Sequence, residues 1–225
     1  KAGTALDYET NPVLDVTVTV DDATVTQDFV LEETLGNILI LDDADKSATD
    51  LAAVAAGGAV AKHPKGREWC IARDIRLTDA GRRSPLMEGK PERFDGFIMH
   101  LDEVTRLPPG GTLLATGDHT RVQALEVKHG KGTFWSTQYH PEFNLREMGR
   151  LIAARAKPLT QEGFFAKEED VAGFTAQLEA LHNDSQSASL RETLKIGDDI
   201  LDPAIREVEL RNWVDHLVLP GYNNR

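Results

Sequence analysis

Cysteine is almost missing from this chain: Cys70 is the only one among 225 residues. A single cysteine excludes an internal disulfide and any metal site built from several thiolates, and it fits a reducing, cytoplasmic setting. Long hydrophobic runs are missing too. Nothing approaches the roughly 20 apolar residues that span a bilayer, and the first residues lack the basic stretch and apolar core of a secretion signal. Positive charge is in deficit, with a formal net of −12. That balance argues against nucleic acid or an anionic membrane as the main partner, since both favour basic surfaces. Small molecules or other proteins are the expected partners. What is present, 40% hydrophobic and 28% charged residues, describes a soluble chain of one or two domains that can bury a sizeable core. No repeat period or low-complexity tract is visible, which removes solenoids from consideration.

Arginine is absent before Arg67, and the acidity is concentrated at the start. Residues 1–45 hold eleven Asp or Glu against Lys1 alone, a net of −10 of the −12, whereas the other 180 residues are nearly balanced. This shift divides the chain into an acidic, β-rich segment at 1–45 and a second domain at 46–225. In the first segment, residues 13–20 alternate with period two and are rich in Val and Thr, which fit a pleated surface. Asp21 and Asp22 give a turn before a second β-rich run at 24–31, so the pair predicts a hairpin. Residues 37–41 read as a short buried strand.

Beyond that point the pattern is α/β. The small apolar residues Leu51, Ala52, Val54, Ala55 and Ala56 predict a helix over 49–61, stopped by Gly57 and Gly58. Strands are expected at 69–77, 94–100, 112–116, 122–127 and 133–139, with turns such as Pro108-Pro109-Gly110-Gly111 between them. The last third is helical. Asn144 and Glu147 form a capping-box pattern ahead of the stripe Leu145, Met148 and Ile152. Val171, Phe174, Leu178 and Leu181 give one buried face to a helix at 167–182. Asp202-Pro203 opens a final helix as N-cap and first residue, with Leu210, Val214 and Leu217 on one side.

Chemistry is concentrated in Gln138-Tyr139-His140-Pro141-Glu142, between an apolar strand and a capped helix, where open α/β sheets place their sites. A His two residues from a Glu can be a general base oriented by a carboxylate, as in nucleophile–base–orienter triads. The same spacing also fits a surface His beside a Glu that favours a helix start.

The context around this motif resembles one family. Gly66-Arg67-Glu68, Ala72-Arg73-Asp74-Ile75, Leu77-Thr78, Ala80-Gly81, Pro85-Leu86, Phe94-Asp95, His100 to Val104, Leu107-Pro108, Val122-Gln123-Ala124 and Phe134-Trp135 are similar in order and spacing to class I glutamine amidotransferase domains. The likeness is greatest to those related to the amidotransferase part of GMP synthase, and it runs over residues 51–219. It implies an α/β, flavodoxin-like sheet with carboxyl-terminal helices, preceded here by the acidic β segment. It implies hydrolysis of the glutamine side-chain amide to glutamate and ammonia by a Cys-His-Glu triad. His140 would be the general base and Glu142 the residue that orients it. No cofactor is implied.

The nucleophile is the departure. In the family it sits on a Gly-x-Cys-x-Gly elbow just before the helix that matches residues 51–56, but here that stretch is Asp43-Ala44-Asp45-Lys46-Ser47-Ala48-Thr49-Asp50. Lys46 falls about where the cysteine belongs, with no glycine beside it to permit the strained turn. Ser47 has no elbow of its own. Cys70 lies inside an expected strand, where a buried structural cysteine is the simpler explanation. The domain is therefore expected to lack the family's usual amino-terminal half and its activity, or to depend on a partner chain or synthase.

His100-Leu101-Asp102 is similar to the family's Ser-His-x-Asp segment near bound glutamine, although Met99 stands in place of the serine. Taken alone, His100 and Asp102 could be two metal ligands, but an N-cap by Asp102 is simpler. The first segment has a weaker resemblance. Leu6-Asp7-Tyr8-Glu9, the strand at 16–20 and Asp21-Asp22 look like a fragment of a cadherin repeat, in which Asp7, Glu9 and Asp22 would supply part of a calcium shell. The bland alternative is a solvated acidic hairpin. The expectation is thus an amidotransferase-like domain without a complete site, with a non-catalytic binding module and a calcium-binding β segment as the other two readings.

Overall fold

The computed structural model of the chain describes residues 13–20, 23–30, 37–40, 53–54, 56–129 and 132–219. In the acidic segment, strands β1 (Val13–Val20) and β2 (Ala23–Val30) pair antiparallel in register, Val20 opposite Ala23 and Val13 opposite Val30. This is the hairpin its alternation predicts. Strand β3 (Asn37–Ile40) belongs to a second, larger sheet.

That sheet runs in the order β3, β10 (Gly132–Thr137), β9 (Ala124–His129), β8 (Gly111–Thr116), β5 (Glu68–Leu77) and β6 (Arg93–His100). Only the β3–β10 junction is parallel; the four others are antiparallel. Strands β4 (Ala59–Lys62) and β7 (Asp102–Arg106) form a separate antiparallel ribbon. Two expectations are corrected here. Helix was expected over 49–61, but among its described residues only Ala53 and Val54 are helical, and the chain is extended again by Ala59. Gly57, at φ +89°, makes the turn. Asp102 does not cap a helix, because it is the first residue of β7 and lies opposite Lys62. Val104 and Thr105, β-branched and next to it, favour the pleat over a helical turn.

Apolar side chains cover both faces of the large sheet. On one face Trp69, Ile71, Phe97 and Met99 meet helices α1 (Leu145–Ala154) and α3 (Glu168–Asn183), with α2 (Ala156–Gln161), α4 (Ala188–Leu194) and α5 (Asp198–Leu201) beside them. Met148, Ile152, Leu159, Leu178 and Leu181 are wholly buried in this layer. Each removes enough apolar surface from water to contribute about 1.5–3 kcal/mol. The other face carries Ile75, Leu77, Phe94, Ile98, Leu114, Trp135 and Tyr139. It is covered by the turns around Leu86 and Met87 and by Trp213 and Leu217. Those last two belong to the terminal run of α6 (Pro203–Arg206), α7 (Val208–Trp213) and the π-helical turn Val214–Val218.

Strand β5 changes face partway along. Ala72 and, two residues after the register shift, Ile75 and Leu77 all point to the second layer, although Ala72 and Ile75 differ in parity. The bulge is made by Asp74, which takes a left-handed φ of +55° and donates its N–H to Asp95 Oδ1 at 2.9 Å. Asp tolerates this region better than most side chains. A strict period of two, read along 69–77, cannot register such a switch.

Candidate active site

The segment 138–142 leaves the end of β10 and crosses to β6. Gln138 N–H donates to Gln123 O at 2.8 Å, and His140 N–H donates to Phe97 O at 2.7 Å. Pro141 cannot continue the ladder and biases His140 toward extended backbone. The chain then turns into α1, which begins with the predicted capping box. The Asn144 side chain accepts from the N–H groups of Arg146 and Glu147, while Glu147 accepts from the Asn144 N–H at 2.9 Å. The strand end and helix start are thus both fixed by local hydrogen bonds.

Within this frame His140 is buried, 3% exposed at its side chain, and its Nδ1 donates to Glu142 Oε1 at 2.7 Å. The ring stacks on Phe143 with centroids 4.3 Å apart and planes 6° from parallel. A carboxylate on Nδ1 and a flat aromatic neighbour fix both the tautomer and the plane of the imidazole. Nε2 has no hydrogen-bond partner among the described residues, and neither does the second carboxylate oxygen of Glu142. This arrangement can accept a proton at Nε2 and hold the resulting cation against Glu142.

His100 sits differently. It ends β6, is 1% exposed, and donates from Nδ1 to the backbone oxygen of Asp102 at 2.7 Å. Its Nε2 lies 3.2 Å from Glu68 Oε2 and 3.2 Å from Thr120 Oγ1. Gln123 Nε2 donates to the same Glu68 oxygen at 3.1 Å. Burial raises the Glu68 pKa, but the hydrogen bonds from His100 and Thr120, with the charges of His100 and His119, carry it below the ordinary value. Both ring nitrogens of His100 are engaged inside the fold, and Met99 beside it is buried opposite Trp69. The Asp102 carboxylate takes no part in holding the ring.

Cys70 lies in β5, as expected, and is buried. Burial pushes its thiol up to about 12, with Arg73 acting weakly the other way. A thiol in that state supplies almost no thiolate at neutral pH. A cavity of about 340 Å³ opens next to it, between β5 and helices α3 and α4, bounded by Trp69, Phe174 and Leu194. Lys46 and Ser47, at the elbow position, and Asp7, Glu9 and Asp22, the candidate calcium ligands, lie outside the described residues. Among the described residues no group of three or more His, Cys, Asp or Glu is arranged to hold a metal ion, and no helix is long and apolar enough to cross a membrane.

The polar residues buried in this part of the fold pair over long stretches of sequence. Glu68 reaches His100 from 32 residues before it, Gln123 reaches Glu68 across 55 residues, and Glu209 reaches Tyr139 across 70 residues. No short-range pattern carries such pairings. Their signal is only that charged residues stand at positions the core requires.

Residues 49–156 match the family model for glutamine amidotransferase class-I. The chain is 33% identical over 173 residues to a gamma-glutamyl-L-1-hydroxyisopropylamide hydrolase of Pseudomonas sp, which covers 76% of this chain and 58% of that protein. It is 29% identical over 102 residues to a glutamine-hydrolysing GMP synthase subunit of Methanocaldococcus jannaschii, covering 45% of this chain and 50% of that one. Among solved structures, a glutamine amidotransferase from Thermotoga maritima is 22% identical, covers 74% of this chain and 57% of its own, and superposes with a TM-score of 0.44. The chain therefore spans between half and three fifths of the length of these two curated relatives.

Proposed function

We propose, from the premise that residues 49–156 belong to the class I glutamine amidotransferase family, that this chain carries the base half of a site for hydrolysing γ-glutamyl amides. His140 is the general base and Glu142 the carboxylate that orients it. Glutamine is the substrate class suggested by the GMP synthase relatives, and a γ-glutamyl alkylamide is the class suggested by the Pseudomonas hydrolase. In either case a thiolate attacks the amide carbon, the C–N bond breaks, and the proton taken up by His140 Nε2 passes to the departing nitrogen. Water then releases glutamate from the acyl-enzyme.

The observation that carries this proposal is the 2.7 Å contact between His140 Nδ1 and Glu142 Oε1, with Nε2 left without a partner among the described residues. A buried histidine that only fills the core would be expected to satisfy both nitrogens, as His100 does. The nucleophile is the missing part. With Lys46 near the elbow position and Cys70 buried, with its thiol pushed up to about 12, the chain alone does not cleave the amide. It acts as a substrate-binding module, or completes its site with a synthase or another chain that supplies the thiol.

The test is ammonia release from glutamine, and amine release from a γ-glutamyl alkylamide, by the purified chain and by His140→Ala and Cys70→Ala. No release, together with glutamine binding weakened in His140→Ala, is the expected outcome. Release that disappears in both variants would make Cys70 the nucleophile and overturn the incomplete site.

A further inference from the structure

Behind the His140 motif lies a buried ionic cluster that the chemistry above does not use. Glu209, on α7, is wholly buried, and Lys90, on the turn before β6, is 8% exposed. Lys90 Nζ donates to Glu209 Oε2 at 3.0 Å and to the backbone oxygens of Ile205 and Arg206 at 3.0 and 3.1 Å. It also stands 4.6 Å above the ring of Phe94 and 5.7 Å from that of Tyr139. The other oxygen of Glu209 accepts a short hydrogen bond from the Tyr139 hydroxyl. Burial pushes the Tyr139 pKa well above the ordinary value, and the Glu209 charge adds to it, so the hydroxyl keeps its proton and donates. Burial also lowers the Lys90 pKa, while Glu209 works to restore the charge.

Removing two charges from water is costly, and a well-packed apolar trio would stabilise the fold at least as well. The cluster therefore calls for a role other than stability. Its position supplies one. Tyr139 points into the second core layer, its ring edge-on to Phe94 at 5.3 Å. Its side chain sits directly on Gly96: a Cβ there would lie 3.0 Å from the Tyr139 Cβ and 3.1 Å from its Cγ. The next residue, His140, stacks on Phe143, which packs against the opposite layer, and is tied by its N–H to Phe97. One peptide unit is held from both sides of the sheet, and the Tyr139 hydroxyl is its anchor on the far side.

We propose that Glu209 and Lys90 are positioning residues for His140, acting through the Tyr139 hydroxyl, so that the terminal helix, which lies beyond residues 49–156, sets the alignment of the base. As a role in catalysis this rests on His140 being the base. The alignment is measurable without turnover.

The experiment follows the His140 Nδ1 proton by NMR, assigned by its loss in His140→Ala, and reads its exchange with solvent. Three variants are compared: Tyr139→Phe, which keeps the ring; Lys90→Met with Glu209→Gln, which keeps an acceptor for Tyr139 without charge; and Lys90→Met with Glu209→Leu, which removes it. Exchange is expected to be about five- to tenfold faster in Tyr139→Phe and in the Leu pair, the effect of one lost hydrogen bond, and within about twofold of the parent in the Gln pair. The Trp69 indole proton, in the other layer, should be unchanged. Parent-like exchange in Tyr139→Phe, or equal acceleration at Trp69, would overturn the proposal and leave the cluster a structural one. Accelerated exchange together with glutamine binding unchanged in His140→Ala would instead count against the site role of His140 alone.

Discussion

Two strand ends in this molecule carry the same three-residue pattern, a histidine, any residue and an acid, yet they are built for different work. At 140–142 the carboxylate of Glu142 holds the ring and the second nitrogen stays open; at 100–102 it is the backbone of Asp102 that holds the ring, and Glu68 and Thr120 occupy the other nitrogen. The difference comes from the residue between the histidine and the acid. Pro141 breaks the ladder, so Glu142 swings back to its neighbour. After His100 the chain continues as β7, and an extended residue two positions on presents its carbonyl instead. Spacing alone therefore does not distinguish a base from a core histidine.

Removing each histidine should separate the two most strongly. His100→Ala leaves Glu68 and Thr120 facing a void and should cost about 3 kcal/mol in urea unfolding, whereas His140→Ala, beside a part-exposed Glu142, should cost about 1 kcal/mol. Equal losses would break the comparison. Acid should sharpen it. The folded Glu68 pKa lies below the ordinary value near 4.5, so on lowering the pH the unfolded chain binds this proton first. Its contribution is present above about pH 4.5 and lost as pH falls through the folded value, and Glu68→Gln should flatten that part of the stability curve. The smallest effect belongs to Asp102→Asn. Because the backbone and not the carboxylate bonds His100, the change should be about 0.5 kcal/mol or less in the same assay.

Much of this was legible in the sequence because its causes are local. The capping box at Asn144 and Glu147, the alternation of 13–20, the burial of Cys70 and the stripe of α3 each follow from residues within a turn or two of one another. The ribbon of β4 and β7 was not legible, because Asp102 carries a strong helix-start signal that pairing with Lys62 overrides. Nor was the bulge at Asp74, since a positive φ leaves no mark on a hydrophobic pattern. At the site, the histidine and glutamate were visible as a motif, while Glu68, Lys90 and Glu209 were not. They look like ordinary surface charges until the fold encloses them.

The enclosed thiol of Cys70 has one practical consequence. Alkylating and maleimide reagents attack thiolates, and a solitary thiol pushed up to about 12 and packed under α3 leaves this chain with almost no background reaction at neutral pH. A cysteine introduced at any exposed position would take a dye, spin label or crosslinker alone, so the protein can be tagged for distance measurements without first removing its native residue.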